Sequence, residues 1–199
     1  MLILRSSPAS PFGRKVKIAA RVLGLDDRIE IVKTDTTAAD DPIRTVNPLG
    51  KIPALELEDG TTLFDSRVIV DYLDHLAGGG RLIPAEPKAR FAALRLQALA
   101  DGLMDAALLT VYEGRFRDEA MRSQTWLALQ AGKIDRALAA LEAEPPSRAV
   151  DVGSIAVACA LGYLDLRFQG AWRATHPRLA AWLADFEKAV PAYDATRPH

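Results

Sequence analysis

A single cysteine, Cys159, is all the thiol that these 199 residues carry. An internal disulfide, a CxxC redox pair and a cysteine-built zinc site are therefore excluded, and a reducing, cytoplasmic setting fits. Histidine is scarce as well. His75, His176 and His199 stand far apart, none at helical metal-ligand spacing from another, so they read as solvated or capping side chains and no metal is expected. Neither sign of charge is in excess, since the formal net charge is -1. That leaves no basic surface for nucleic acid and no acidic tail. Long apolar runs are also missing. Nothing approaches the roughly 18 residues needed to cross a bilayer, and the opening apolar run, stopped by Arg5, is too short for a secretion signal. What is present is an ordinary share of apolar residues in a chain long enough for one or two domains with a sizeable core.

Apolar spacing divides the chain in two. Residues 1–4 read as a short buried strand. From Pro11 to Leu23, the residues Val16, Ala19, Ala20 and Leu23 follow a helical period, Arg14, Lys15, Lys17 and Arg21 take other positions, and Gly24 suits a left-handed end. Residues 29–33 read as a second strand and 40–46 as a short helix or irregular turns. Two further strands, 52–57 and 62–64, are parted by an Asp59-Gly60 hairpin signal. Residues 66–76 then form a helix with Ile69, Tyr72, Leu73 and Leu76 on one face. Gly78-Gly79-Gly80 opens a linker containing Pro84 and Pro87. Everything beyond it reads helical: a long helix from about Pro87 striped by Ala92, Leu96, Leu99 and Leu103; a second over 119–141 through Trp126, Leu129 and Ala137, broken by Pro145-Pro146; an apolar helix over 154–168; and one over 177–189. A βαβ then ββα unit followed by a helical bundle makes an α/β domain and an all-α domain, residues 1–78 and 88–199, joined by a linker over 79–87.

Three short stretches invite chemistry. In "SSPASPFGRKV", Ser10 precedes a proline at a helix start, which suits a simple N-cap. The same position would let its hydroxyl donate to an anion at the positive end of the helix. A thiolate is the interesting candidate. At an unperturbed pKa of about 8.5 only about 3% of a thiol is ionised at pH 7, and a shift of about two units requires ~2.7 kcal/mol. One hydrogen bond to a charged acceptor contributes about 1.5–3 kcal/mol, a helix terminus about 0.3–1, so no general base is needed. In "NPLGKIPAL", a cis bond at Ile52-Pro53 would turn the Ile52 main chain outward to pair with an extended peptide. In "FDSRVIVDYL", Asp65-Ser66 opens a helix, either as a plain cap or as a carboxylate-capturing end. Together the two helix starts and the edge between them could hold a small acidic peptide bearing a thiol.

These motifs, in this order, resemble the cytosolic glutathione transferase superfamily, and look most like bacterial serine-type glutathione transferase-like proteins. The whole chain fits that pattern. The resemblance implies a thioredoxin-like N-terminal domain with a cis-proline, then an all-helical C-terminal domain. It implies glutathione as co-substrate, no metal, a homodimer and a detoxification role, with the thiolate transferred to a small hydrophobic electrophile. A non-catalytic binding or regulatory protein on the same fold is the alternative. By resemblance, Ser10 hydrogen-bonds the thiolate, with Ser7 in reserve. Lys51 contacts the glycyl end, Ile52 pairs with the peptide main chain, and Pro53 is the cis-proline. Asp65 and Ser66 bind the γ-glutamyl group, Lys33 reaches the glycyl carboxylate, and Asp101 reaches the glutathione amine of a partner subunit. Phe12, Met104, Leu108 and Tyr112 would line the second-substrate pocket. No tyrosine precedes Tyr72 and no cysteine lies in the turn, which sets aside the tyrosine-dependent and cysteine-dependent relatives. Cys159 reads as a small buried apolar residue. Relatives commonly open their central C-terminal helix with Ser/Thr-x-x-Asp. Here Ser154 is followed by Val157, so Ser154 is expected to cap without a reciprocal bond.

Overall fold

The computed structural model describes residues 1–198; His199 lies outside them. The chain begins with strand β1 (Leu2–Ser6), helix α1 (Pro11–Leu23) and strand β2 (Ile29–Lys33). A single turn, α2 (Ile43–Val46), precedes β3 (Ala54–Glu56), β4 (Thr62–Leu63) and α3 (Ser66–Leu76). The four strands lie in the order β2-β1-β3-β4, with β1 and β2 parallel and the β1–β3 and β3–β4 pairs antiparallel. This is the thioredoxin-like βαβ–ββα arrangement. β2 has the expected bounds and β1 runs two residues further, to Ser6, whereas β3 and β4 are shorter than their apolar runs suggest. The ladder in β3 starts only at Ala54, because the chain before it turns through a cis Ile52-Pro53 bond. Leu4, Val16, Ile18, Leu55, Ile69 and Leu73 have no accessible surface and form the domain's core. Gly24, at φ 72°, ends α1 by donating to the Ala20 and Arg21 carbonyls.

The linker is organised by one buried carboxylate. Asp74 of α3 accepts from the main-chain N–H groups of Gly80 (2.9 Å), Arg81 (3.0 Å) and Leu82 (2.7 Å). Gly78, Gly79 and Gly80 all adopt positive φ, a path open chiefly to glycine. Leu82 then accepts from Val152 N (2.9 Å), tying the linker to the second domain.

That domain is helical: α4 (Pro87–Phe116), α5 (Gln124–Ala143), α6 (Val152–Phe168), α7 (Pro177–Ala189) and the short α8 (Pro191–Asp194). Residues 152–164 of α6 are buried on every side, and α4, α1 and α7 pack around it. No helix among the described residues is long and apolar enough to cross a membrane.

Three expectations change. The stripe on α4 holds only in part: Leu103 is buried and Leu96 is half-buried against the core, as expected. The buried face also takes in Ala93, Gln97, Ala100, Met104 and Ala107, while Ala92 and Leu99 are exposed. Small residues let α4 approach α6 so closely that a Cβ on Gly153 would lie 2.7 Å from the Ala93 carbonyl oxygen. The second helix begins at Gln124, capped by Ser123, rather than at 119, and Trp126 and Leu129 stay 39% and 50% exposed. Finally, α6 starts at Val152 with Asp151 as its cap. Asp151 Oδ1 accepts from Ser154 N (2.8 Å) and Ser154 Oγ accepts from Asp151 N (2.9 Å). The reciprocal bond expected to be lost is therefore present, with the acid at the cap and the hydroxyl three residues on.

Candidate active site

The turn after β1 brings Ser10 to the N-cap of α1, with Pro11 at the first helical position. Ser10 Oγ accepts from Gly13 N (3.0 Å). An oxygen that accepts this bond keeps its own proton to donate elsewhere. Ser7, the reserve, receives the Ser10 N–H on its carbonyl (3.2 Å). Gly13 makes the arrangement possible: a Cβ there would fall 2.1 Å from Ser6 Oγ and 3.3 Å from Ser10 Oγ. Ser10 lines a recess with Arg14, Cys159, Gly162, Tyr163 and Leu166, so the turn faces α6 of the helical domain.

The Ile52-Pro53 bond is cis, and Pro53 is buried while Ile52 is half-buried and Lys51 exposed. Asn47 shapes the approach. Its buried side chain donates to the Lys51 carbonyl (2.8 Å) and accepts from Leu49 N (3.0 Å). Lys33 is exposed at the end of the edge strand β2, in register with Ser6.

At the second helix start, Asp65 caps α3 by accepting from Arg67 N (2.9 Å), and its other oxygen meets the Arg67 guanidinium (2.9 Å). Burial works to raise the Asp65 pKa, but the Arg67 hydrogen bonds and charge outweigh it and hold the carboxyl below its ordinary value. Ser66 is buried at the first position of the helix, where main-chain N–H groups have no intrahelical acceptor.

Asp101 has a partner inside its own chain. Lys15 Nζ donates to Asp101 Oδ1 (2.6 Å), and Arg67 Nε lies 3.9 Å from Asp101 Oδ2. Burial raises the Asp101 carboxyl, against the pull of Lys15. Asp105, one turn on, is also raised, by burial and then by the negative charge of Asp101, with Lys51 opposing. A run of charges thus connects Lys15, Asp101, Arg67 and Asp65 across the two domains.

Of the expected second-substrate residues, Phe12, Leu108 and Tyr112 are half-buried, but Met104 has no accessible surface. It lies on the face of α4 pressed against α6, in line with Ala93, Ala100 and Ala107, so it belongs to the core rather than to a pocket wall. Tyr163, Arg14 and Asn47 were not singled out from sequence. Tyr163 sits within an unbroken apolar run, where helical period carries no directional signal. Arg14 is buried and donates to the Tyr193 carbonyl (2.7 Å), a contact 179 residues away in the chain.

Comparison with known proteins bears on the whole chain. The family model for the glutathione S-transferase N-terminal domain matches residues 9–76, and that for the C-terminal domain matches residues 124–185. The uncharacterized GST-like protein YibF of Escherichia coli is 35% identical over 182 residues, covering 88% of this chain and 89% of YibF. A glutathione transferase family member from Pseudomonas fluorescens, solved with bound glutathione, is 44% identical, covers all of both chains and superposes with a TM-score of 0.93. The same Pseudomonas protein has been solved with S-(propanoic acid)-glutathione, at a TM-score of 0.90. A glutathione S-transferase from Methylobacillus flagellatus with glutathione bound is 37% identical, covers all of both chains and gives a TM-score of 0.93.

Proposed function

The chain belongs to the glutathione S-transferase family, and from that premise we propose that it binds glutathione and transfers its thiolate to a small electrophile, with Ser10 holding the sulfur in its anionic form. One observation carries the assignment of Ser10. Its oxygen accepts from Gly13 N while the hydroxyl proton stays free, at the positive end of α1 and at the mouth of a recess facing the helical domain. A hydroxyl so placed donates to the sulfur. That bond contributes about 1.5–3 kcal/mol and the helix terminus about 0.3–1, which together cover the ~2.7 kcal/mol of a two-unit fall in thiol pKa.

The rest of glutathione would lie along the cis-Pro edge. Ile52 pairs with its main chain, Lys51 and Lys33 face the glycyl end, and Ser66 N–H and Oγ take the γ-glutamyl carboxylate at the start of α3. Asp65 attracts the γ-glutamyl amine, and Asp101 supports that end at one remove through Arg67. The electrophile would enter against Phe12, Leu108 and Tyr112. Glutathione bound in the neighbours at 44% and 37% identity supports this reading, as does the thioether ligand of the Pseudomonas protein, the kind of molecule such a transfer leaves behind. We further assign the exposed Val68 of α3 and Phe91 and Leu99 of α4 to a homodimer contact.

The test is thiolate absorbance near 240 nm for bound glutathione, titrated over pH. Wild type should show a thiol pKa about two units below 8.5, and Ser10→Ala should return it by about one to two units. Superimposable titrations of the two proteins would remove Ser10 from the mechanism. Sedimentation over a range of protein concentrations tests the dimer, and a concentration-independent monomer mass would exclude it.

A further inference from the structure

The loop between α5 and α6 and the helix α7 enclose a cleft that thiolate transfer does not use. Pro145 and Pro146 follow the end of α5 at Ala143 and prevent its continuation. The loop is then held at short range: Ser147 Oγ accepts from Ala149 N (3.3 Å), and Asp151 caps α6. On the facing helix, Leu179, Leu183 and Phe186 are buried. Trp182, one turn before Phe186, is half-buried, and the two rings stack with centroids 5.3 Å apart. Between loop and helix lies a cavity of about 350 Å³, walled by Val150, Trp182 and Phe186 and rimmed by Arg148, Asp185 and Lys188. That volume suits a small organic molecule.

Two features of the cleft point to the kind of molecule. The first is the wall. Trp126 and Trp172 each carry a cation over the ring, Lys133 at 5.9 Å and Arg173 at 4.9 Å. Among the described residues no cation covers Trp182, whose ring lines the cavity instead. Its indole N–H reaches only the Ser147 carbonyl, at 3.5 Å, the far limit of a hydrogen bond. The second feature is the rim. Arg148 Nη2 lies 3.6 Å from Asp185 Oδ2, and Lys188 Nζ lies 3.9 Å from Asp185 Oδ1. Both gaps exceed a hydrogen bond, so the guanidinium and the ammonium keep donors for a further acceptor. Two cations share one carboxylate, which leaves the rim with a net positive charge. A cleft that were only a by-product of the proline turn would bind no anion in preference to its neutral counterpart.

We propose that this cleft is a binding site for a small aryl carboxylate, separate from the glutathione site. The ring lies against Trp182 and Val150, and the carboxylate meets Arg148 and Lys188 at the rim. A flat ring gains apolar contact and stacking on an indole. A guanidinium presents a paired donor fork that fits a planar carboxylate, and the ammonium adds a point charge. A monoanion also matches the net charge of the rim. None of these residues belongs to the glutathione or electrophile positions, so the inference stands apart from the thiolate-transfer reading.

Titration of the full chain with naphthalene-2-carboxylate and with naphthalene-2-carboxamide tests it, since the two have nearly the same shape and differ in charge. The readout is the Trp182 indole N–H in a proton–nitrogen correlation spectrum, identified by its loss in Trp182→Phe. Wild type should show a saturable shift of that signal, with the acid bound at least about fivefold more tightly than the amide. The shift should persist when glutathione is present in excess. Arg148→Gln/Lys188→Gln should bring the ratio to about one to two. Both side chains are exposed, at 93% and 79%, so the double variant should keep its melting temperature. No movement of the Trp182 signal at millimolar acid overturns the site. Equal binding of acid and amide overturns the carboxylate, and a preference that survives in the double variant overturns the assignment to Arg148 and Lys188. Displacement by glutathione would make the two sites one and overturn their separation. A Trp182 signal that moves on dilution of the protein alone would give the cleft to a contact between copies of the chain and overturn the proposal as well.

Discussion

Lys15 Nζ and Asp101 Oδ1 meet 2.6 Å apart, joining α1 of the first domain to α4 of the second, and the lysine side chain has no accessible surface. The pair locks together the helix that carries Ser10 and the helix that carries Leu108 and Tyr112. It does so at a cost in solvation, since burial holds the Asp101 carboxyl above its ordinary pKa despite the adjacent ammonium.

Removing one member of this pair is therefore expected to cost more than removing both. Asp101→Leu leaves a buried ammonium uncompensated and should destabilise the protein by about 3–5 kcal/mol. Lys15→Met should cost less, because Asp101 keeps Arg67 nearby at 3.9 Å and can take up a proton. The double variant Lys15→Met/Asp101→Leu should lie close to wild type. Urea unfolding midpoints for the four proteins form a double-mutant cycle that decides the matter. Costs that simply add would show that the two residues are not energetically coupled.

Asp65 gives the acid limb of stability a definite sign. Its folded pKa is depressed, so its contribution is present above the unfolded value of about 3.9 and is lost as pH falls through the lower folded value. Asp65→Asn keeps a capping side chain but no charge. The gap in melting temperature between wild type and Asp65→Asn should be widest from about pH 5 to 7, well above the unfolded value, and should shrink as acid protonates the folded carboxyl. A gap that stays constant with pH would separate Asp65 from the Arg67 pairing seen here. The effect is a matter of sign rather than size, because the side chain is 53% exposed and screened by water.

Gly153 is set by packing rather than by backbone freedom. A Cβ there would meet the Ala93 carbonyl oxygen at 2.7 Å and Leu96 Cβ at 2.9 Å. Alanine is favoured over glycine within a helix by about 1 kcal/mol, so an unpacked site would gain from the change. Here Gly153→Ala must push α4 away from α6, and a net loss of about 1–3 kcal/mol is expected in denaturant unfolding. A stabilised variant would mean that the two helices can separate freely.

How far the sequence could be read follows from the range of the forces involved. The strand, turn and helix order of the first domain was legible, because β1, α1, the Asp59-Gly60 hairpin and α3 are set by local period and turn chemistry. The Ser10 and Asp65 helix starts were legible for the same reason: a cap is a signal spanning four residues. Local reading failed where a partner lies far away in the chain. Arg14 and Lys15 look like the polar side of an amphipathic helix, yet both are buried, held by Tyr193 and Asp101. The stripe on α4 was read correctly at Leu103 and Leu96 but missed at Ala92 and Leu99, because the contact with α6 selects small side chains such as Ala93 and Ala100 rather than apolar character alone. The α6 cap was misread because a family pattern was sought at Ser154, when Asp151 three residues earlier supplied the acid.

The last prediction concerns the one thiol the protein owns. Cys159 lines the recess behind Ser10, which invites the thought that it could take part in disulfide chemistry. Its surroundings argue otherwise. The side chain has no accessible surface, and burial pushes its pKa up to about 11, with the Arg14 and Lys15 charges offsetting only part of that. At pH 7 such a thiol is ionised in about one molecule in ten thousand, against about 3% for a free cysteine, and the thiolate is the attacking species. Dithionitrobenzoate should therefore leave the native protein unlabelled over minutes and titrate one thiol once the chain is unfolded in guanidinium. Incubation with glutathione disulfide should yield no mixed disulfide by mass spectrometry. Rapid native labelling would mean that the recess opens to admit reagents, and would bring Cys159 into the chemistry now given to Ser10 alone.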